Sequence, residues 1–197
     1  MSENSKNIYI KSLKGSGISS FLQNQPRVYY GSKINKNNDL IKDKINDINN
    51  LDQLKLFLIK KNNFKLKNNS FNPIIGEGSN DAKVIIIGGY RKKDESEEIK
   101  SFAGESEKLL NKMLEAINIE RKTVYTTNVI PWLLENNQKI ENEDILKHLP
   151  FIQRLIEIIK PNIILLMGNI AAKAILNSNI DIIKLRNKWH DYKSINL

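Results

Sequence analysis

The chain has no cysteine among its 197 residues. That excludes a disulfide scaffold, a thiolate zinc site, a cysteine nucleophile and a cysteine-held iron–sulfur cluster. Histidine is scarce as well. With only His148 and His190, a histidine-rich metal centre is not expected. Long apolar runs are missing: the longest, Val84–Ile87 and Ile163–Met167, fall far short of the roughly 20 residues that span a bilayer. The opening MSENSKNIYIKSLKG has no apolar core of signal-peptide length and no lipidation pattern. A soluble, cytoplasmic protein with no membrane partner is expected.

What is abundant is charge of one sign. The net charge is +9, from 31 basic and 22 acidic residues. Of the basic residues 26 are Lys and 5 are Arg, beside 27 Asn and 31 Ile. This bias resembles A- and T-rich coding, so part of the charge reads as compositional drift. The charge is also uneven. Residues 1–80 carry a net +7 and residues 81–197 a net +2. A basic segment on a near-neutral body suits a polyanion such as nucleic acid; a solvated, drift-enriched tail is the alternative.

Residues 1–38 show no sustained periodicity and read as a flexible basic N-terminal segment. KGSG at Lys14–Gly17 lacks the Walker spacing of a phosphate loop. Residues 39–197 form the expected folded domain. Residues 39–62 predict helix, with apolar stripes at Leu40, Ile41, Ile45 and Ile48 and again from Leu51 to Ile59, followed by an Asn-rich loop over 62–80. A short, continuous apolar run at Lys83–Gly88 predicts a strand buried on both faces, and a second and third strand are predicted at Thr123–Val129 and Asn162–Met167. Helices are predicted between and after them, at Gly104–Asn118, Glu143–Ile159 and Ile170–Leu176, and polar loops at Tyr90–Lys100 and Leu133–Asn142. This alternation predicts a three-layer α/β/α fold with a short central parallel sheet. In such sheets ligands bind at the carboxyl ends of the strands: here Gly88–Gly89, Asn128–Pro131 and Gly168–Asn169.

Residues 72–192 resemble uracil-DNA glycosylases of the iron–sulfur type, called family four. The likeness runs through NPIIGEGSNDAKVIIIGG, SFAGESEKLLNKMLEAINIERKTVYTTNVIPW, HLPFIQRLIEIIKPNIILLMGNIAAKAIL and IIKLRNKWHDY, nearly without gaps. The resemblance implies base-excision repair chemistry, in which the uracil nucleotide is turned out of the duplex into a pocket. Phe102 matches the aromatic ring that stacks on the base. Asn128 matches the amide that reads its Watson–Crick edge, and Gly88 belongs to the same binding pocket. Each has a plainer alternative: a core aromatic for Phe102, a strand-end cap for Asn128. Asp94 and Glu95 match an acidic pair, or form a solvated charge run.

The departures matter as much. Gly89 stands where the family's catalytic carboxylate belongs. The family's Gly-Glu-Ala-Pro-Gly loop is Gly88-Gly89-Tyr90-Arg91-Lys92 here, with Arg91 and Lys92 in place of its Pro and last Gly; Arg91, Lys92 and Lys93 are expected to contact DNA. The Pro-Pro-Gly-Asn loop after the second strand is Leu133-Leu134-Glu135-Asn136. Phe64–Lys67 lies near the place of the first cluster cysteines and His148 at that of the last, so no cofactor is expected and His148 reads as a helix-surface residue. The late His-Pro segment is unmatched, and the chain reads as truncated relative to the family. His190 falls in a Trp-x-x-Tyr element that reads as packing. The expectation is a DNA-binding protein, on uracil-containing or single-stranded DNA, with lost or strongly impaired excision. The alternatives are a protein-interaction module, contacting a partner through the N-terminal segment or at an exposed sheet edge that Lys184–Trp189 partly covers, and a copy with no retained function.

Overall fold

The computed structural model describes residues 44–60, 64–66, 72–92, 100–135, 138–178, 180–193 and 195–196. The N-terminal segment 1–38, the first residues of the predicted helix, and Lys93, Asp94 and Glu95 lie outside them.

The centre of the molecule is β2 (Val84–Gly88). It pairs in parallel with β4 (Tyr125–Asn128) on one side and β6 (Ile163–Leu166) on the other. Side chains on a strand alternate between faces. Ile85 and Ile87 join the larger core, beneath α1 (Leu51–Lys60), α3 (Asn142–Ile159) and α4 (Asn169–Leu176). Ile86 joins Leu110 and Leu114 of α2 (Glu105–Ala116) and Val124 on the opposite face. A strand covered on both faces favours a continuous apolar run, as in the Val-Ile-Ile-Ile of β2.

The α/β class is as expected, with a sheet that is mixed at its edges. β1 (Glu77–Gly78) lies antiparallel outside β4. On the far side β7 (Asp191–Tyr192) and β8 (Ile195–Asn196) form an antiparallel pair, and β8 meets β6 in parallel through Ile163 and Asn196. The sheet order is β1-β4-β2-β6-β8-β7. Separately, β3 (Arg91–Lys92) pairs in parallel with β5 (Leu133–Leu134). Both segments were expected as polar loops. They fold inward because Trp132, Leu133 and Leu134 are buried, and a buried backbone must pair its amides.

One helix departs from the apolar pattern. In α2 only Leu110 and Leu114 are buried, while Leu109, Met113 and Ile117 are exposed; the sheet covers a narrower stripe than the sequence offers. The helix α3 begins with a reciprocal box in which the Glu141 amide donates to Asp144 Oδ2 at 3.0 Å. It ends at Lys160 in the left-handed region, ahead of Pro161. A short helix, α5 (Ile182–Leu185), is capped by Asp181, whose Oδ1 accepts from the Ile183 amide at 2.9 Å. No helix among the described residues is long and apolar enough to cross a membrane.

Candidate functional site

The carboxyl ends of β2 and β4 are held in register beyond the strands. Gly88 faces Asn128 in the ladder, and the amides of Val129 and Ile130 donate to Gly88 and Gly89 at 3.0 Å each. The Asn128 side chain is buried, and its Nδ2 donates to the Ser101 carbonyl at 2.6 Å. That bond reaches across 27 residues and draws the loop before α2 over the strand ends. Phe102 follows directly. Its ring is half-buried against the Ile86 cluster, so it anchors its loop and also keeps surface free.

Gly88 explains why the two meet. A Cβ there would lie 2.3 Å from Asn128 Oδ1 and 3.0 Å from Phe102 Cζ. Only a residue without a side chain lets the amide and the ring close over the strand. The space on Asn128's other side, towards Leu54 and Phe151, is about 20 Å³, too small for a nucleobase. Beyond its bond to Ser101, the carboxamide has a second Nδ2 hydrogen and an oxygen able to form hydrogen bonds. Ser101 Oγ is buried with no hydrogen-bond partner. Asn169 Oδ1, at the start of α4, is in the same condition. Neither stood out in the sequence, because an isolated Ser or Asn carries no pattern.

Gly89 sits where the resemblance places an acid. Its φ is outside the left-handed range, so the backbone accepts a side chain, but a Cβ would lie 3.1 Å from Ile170 Cβ.

Arg91 departs from expectation. It is 2% exposed, and its Nη1 donates to the Lys100 carbonyl at 2.9 Å. A guanidinium turned inward cannot meet a phosphate, so its assignment to DNA contact is corrected: Arg91 ties down the loop that carries Ser101 and Phe102. Lys92 is half-buried in β3.

His148 is also corrected. It is 1% exposed and not on the helix surface. Its Nε2 lies 2.9 Å from Trp132 Nε1. An indole N–H only donates, so Nε2 accepts, the proton sits on Nδ1, and Nδ1–H donates to the Asp144 carbonyl at 2.6 Å. Burial drives its pKa down to about 4. The Phe64 ring stacks on the imidazole at 4.5 Å, with Trp132 and Phe151 centred 6.0 and 5.5 Å from Phe64. Two positions that stand in for cluster cysteines thus meet, 84 residues apart in sequence, as packed rings. Iron–sulfur clusters are held by thiolates, and this chain has none. The residues do not fit the cluster. Among the described residues no group of three or more His, Asp or Glu side chains could hold a metal ion.

The Trp-x-x-Tyr element splits. Tyr192 packs against the larger core, whereas Trp189 is 74% exposed. The His190 Nε2–H donates to the Leu185 carbonyl at 3.0 Å.

Fold and site together define an open-sheet α/β protein whose candidate ligand site lies at the strand carboxyl ends. Comparison with known proteins gives the family. A model of the uracil DNA glycosylase superfamily matches residues 75–195. The chain is 34% identical over 106 residues to a type-4 uracil-DNA glycosylase of Archaeoglobus fulgidus, covering 54% of this chain and 53% of the relative. It is 31% identical over 151 residues to that of Sulfurisphaera tokodaii, covering 74% and 69%. It is 31% identical over 126 residues to that of Saccharolobus solfataricus, covering 61% and 58%. The chain belongs to the uracil-DNA glycosylase superfamily. The matches span between about half and seven-tenths of these relatives' lengths.

Proposed function

We propose that this protein binds uracil turned out of DNA and holds it far better than it excises it. The observation that carries this reading is the closure of Phe102 and Asn128 over Gly88. A base stacked on the Phe102 ring gains dispersion and stacking, worth about 1–3 kcal/mol for a base on an aromatic side chain. The Asn128 oxygen accepts from a ring N–H of uracil, and its free Nδ2 hydrogen donates to a carbonyl. Thymine offers the same edge but adds a methyl group, so discrimination falls to the fit around Phe102.

Excision is a different demand. Breaking the bond between base and sugar leaves positive charge on the sugar and negative charge on the uracil. A carboxylate near the sugar favours the cation and the attacking water. Gly89 supplies none, and a lost acid–base group costs about 10²–10⁴ in rate. A lysine cannot stand in for the carboxylate, because its charge would repel the developing cation. We also propose that the protein needs no iron–sulfur cluster, the stacked rings of Phe64, His148 and Trp132 filling its place. Purified protein should carry no iron and no visible absorption while unfolding cooperatively.

The test is equilibrium binding to single-stranded oligonucleotides holding one uracil or one thymine, at several salt concentrations. Tighter binding to uracil, weakened in both Phe102→Ala and Asn128→Asp, is expected, with affinity falling as salt rises. Equal binding of both bases by wild type and variants would remove the pocket from the account.

A further inference from the structure

Between the strand ends and the ring stack lies a short bridge. Beyond Asn128 the chain stays beside the one leaving β2: Gly88 pairs with Asn128, and further on Arg91 pairs with Leu133. The register slips by two residues on the way. The slack falls in 129–132, and within it the Trp132 indole turns inward to His148.

β3 and β5 are two residues each and pair only with one another among the described residues. A two-stranded ladder this short does not hold its own shape in water, so its place is set by what its side chains meet. On the β5 side these are fixed. Trp132 is 1% exposed and Leu134 fully buried. The indole N–H donates to His148 Nε2 at 2.9 Å, the His148 Nδ1–H donates to the Asp144 carbonyl at 2.6 Å, and Phe64 stacks on the imidazole at 4.5 Å. The acceptor is thereby locked to α3. On the β3 side the ladder supports Arg91, whose Nη1 donates to the Lys100 carbonyl at 2.9 Å.

Two side chains therefore tie the loop before α2 to the strand ends. Asn128, which holds the Ser101 carbonyl, ends a strand paired on both sides. Arg91 stands on the two-residue ladder and keeps its place only as far as β5 does. Phe102 follows directly on Ser101, and a ring that stacks on a base must be held to about 0.5 Å by groups whose own rotamers are locked.

We propose that His148 and Trp132 are positioning residues for the base pocket: their hydrogen bond fixes β5, β5 fixes β3, and Arg91 on β3 fixes where Phe102 stands over Gly88. The consequence for base binding rests on the pocket reading above; the mechanical linkage does not. His148 touches no ligand in this account. A buried polar ring among aromatic side chains costs stability unless its hydrogen bonds are made, and here both are made to parts that the bridge joins. Removing the acceptor leaves the buried indole N–H without it. The ring must then turn towards another, and Leu133 and Leu134 follow.

The test is amide hydrogen exchange of the free protein over 89–92, 100–104 and 129–135, beside the thymine-to-uracil ratio of Kd for single-stranded oligonucleotides. His148→Phe keeps a ring and removes the acceptor; His148→Gln keeps an acceptor. In His148→Phe all three segments should exchange faster by about fivefold or more, the lower end of what an unsatisfied buried N–H costs, and the ratio of Kd should fall by a similar factor. His148→Gln should restore both. Arg91→Ala, which cuts the far end of the bridge, should free 100–104 and leave 129–135 as in wild type. Ile175→Ala, a core change in α4 outside the bridge, should lower stability without selecting these segments. Trp132→Phe removes the donor and should repeat the His148→Phe pattern, so the test survives if His148→Phe does not fold. Unchanged exchange over 100–104 in the folded variants would overturn the proposal. So would the Ile175→Ala pattern in either, which marks a general loss of stability, or faster exchange that His148→Gln does not reverse. A wild type that binds both bases alike would overturn the pocket reading, and the exchange pattern would still decide the linkage.

Discussion

Restoring an acid at Gly89 is the sharpest test of why excision should be slow. The backbone permits it, since Gly89 is not held in the left-handed region. The obstacle is Ile170. A new Cβ would stand 3.1 Å from Ile170 Cβ, 3.5 Å from Cγ2 and 3.6 Å from Cδ1. Overpacking of this kind costs about 1–3 kcal/mol. For a chain of this size each kcal/mol lowers Tm by about 2–4 °C. Gly89→Glu should therefore fold, with a Tm several degrees below wild type. Ile170→Ala removes Cγ2 and Cδ1, two of the three close contacts, so the Gly89→Glu/Ile170→Ala double variant gives the carboxylate room to turn towards the strand ends. The assay is release of free uracil from a single-stranded oligonucleotide, single turnover with protein in excess. If the missing carboxylate is the deficit, the double variant should exceed wild type by about 10²-fold or more, the lower end of what one acid–base group contributes. Rapid release by wild type, unchanged in Gly89→Glu, would refute the reasoning, because another acid would then be doing the work.

Gly88→Ala places a Cβ 2.3 Å from Asn128 Oδ1. It should displace the carboxamide from Ser101, lower stability by about 1–3 kcal/mol, and abolish any preference for uracil over thymine in the binding assay. Arg91→Ala removes a buried donor from the Lys100 carbonyl, a loss of about 1.5–3 kcal/mol for a charged hydrogen bond. Because Arg91 is turned inward, the slope of log affinity for DNA against log salt should stay unchanged; a slope smaller by about one would mean that the guanidinium meets a phosphate after all. His148 is held neutral, with a folded pKa of about 4 against an ordinary 6.5. Its contribution is full above pH 6.5 and drains away as pH falls towards 4, because there the unfolded chain takes up the proton first. The displacement is worth on the order of 3 kcal/mol. His148→Gln keeps an acceptor for Trp132 without titrating, so urea unfolding at pH 7.5, 5.5 and 4.5 should show a flatter pH dependence in the variant. Parallel profiles would assign the acid sensitivity elsewhere.

β2 was legible because burial on both faces leaves a signature no polar residue interrupts, and β6 because its run is equally apolar although Leu165 is exposed. Val84–Gly88 and Ile163–Leu166 are found within a residue of their expected bounds. Position at a strand end was equally legible for Gly88 and Asn128, and the ladder pairs them directly. What could not be read was the direction in which a charged or ring side chain turns. Arg91 lies in a run of basic residues that looks solvated, yet the Lys100 carbonyl nine residues on supplies an acceptor inside. His148 lies on a helix whose apolar stripe is plain, but its partner Trp132 is 16 residues away and Phe64 is 84. Pairs so distant leave no periodicity. The exposed row Leu109, Met113 and Ile117 fails the other way: the spacing is that of a buried face, and the sheet beneath α2 covers only the next row.

Fold and chemistry make separable demands on this sequence. The sheet needs volume and apolarity at Ile85, Ile86, Ile87 and Ile164, all fully buried, and a polar or smaller residue at any of them leaves a cavity or an unsatisfied group. The position at which the family resemblance would place an acid makes no such demand. Gly89 is half-buried, its backbone conformation is ordinary, and the only structural consequence of a side chain there is crowding against Ile170. A glycine there avoids that crowding, and no contact of the described core requires a side chain at this position. The pocket residues fall between these cases. Asn128 holds the Ser101 loop and Phe102 plugs the Ile86 cluster, so each is retained by the fold whether or not a base is ever bound. Their survival alone cannot argue for uracil recognition. Gly88 is in the same position: a Cβ there would lie 2.3 Å from Asn128 Oδ1 and 3.0 Å from Phe102 Cζ, so an alanine would disturb the Asn128–Ser101 bond of the fold as well as the meeting of the two side chains. The pocket reading therefore rests on the difference between uracil and thymine binding, not on the survival of these residues.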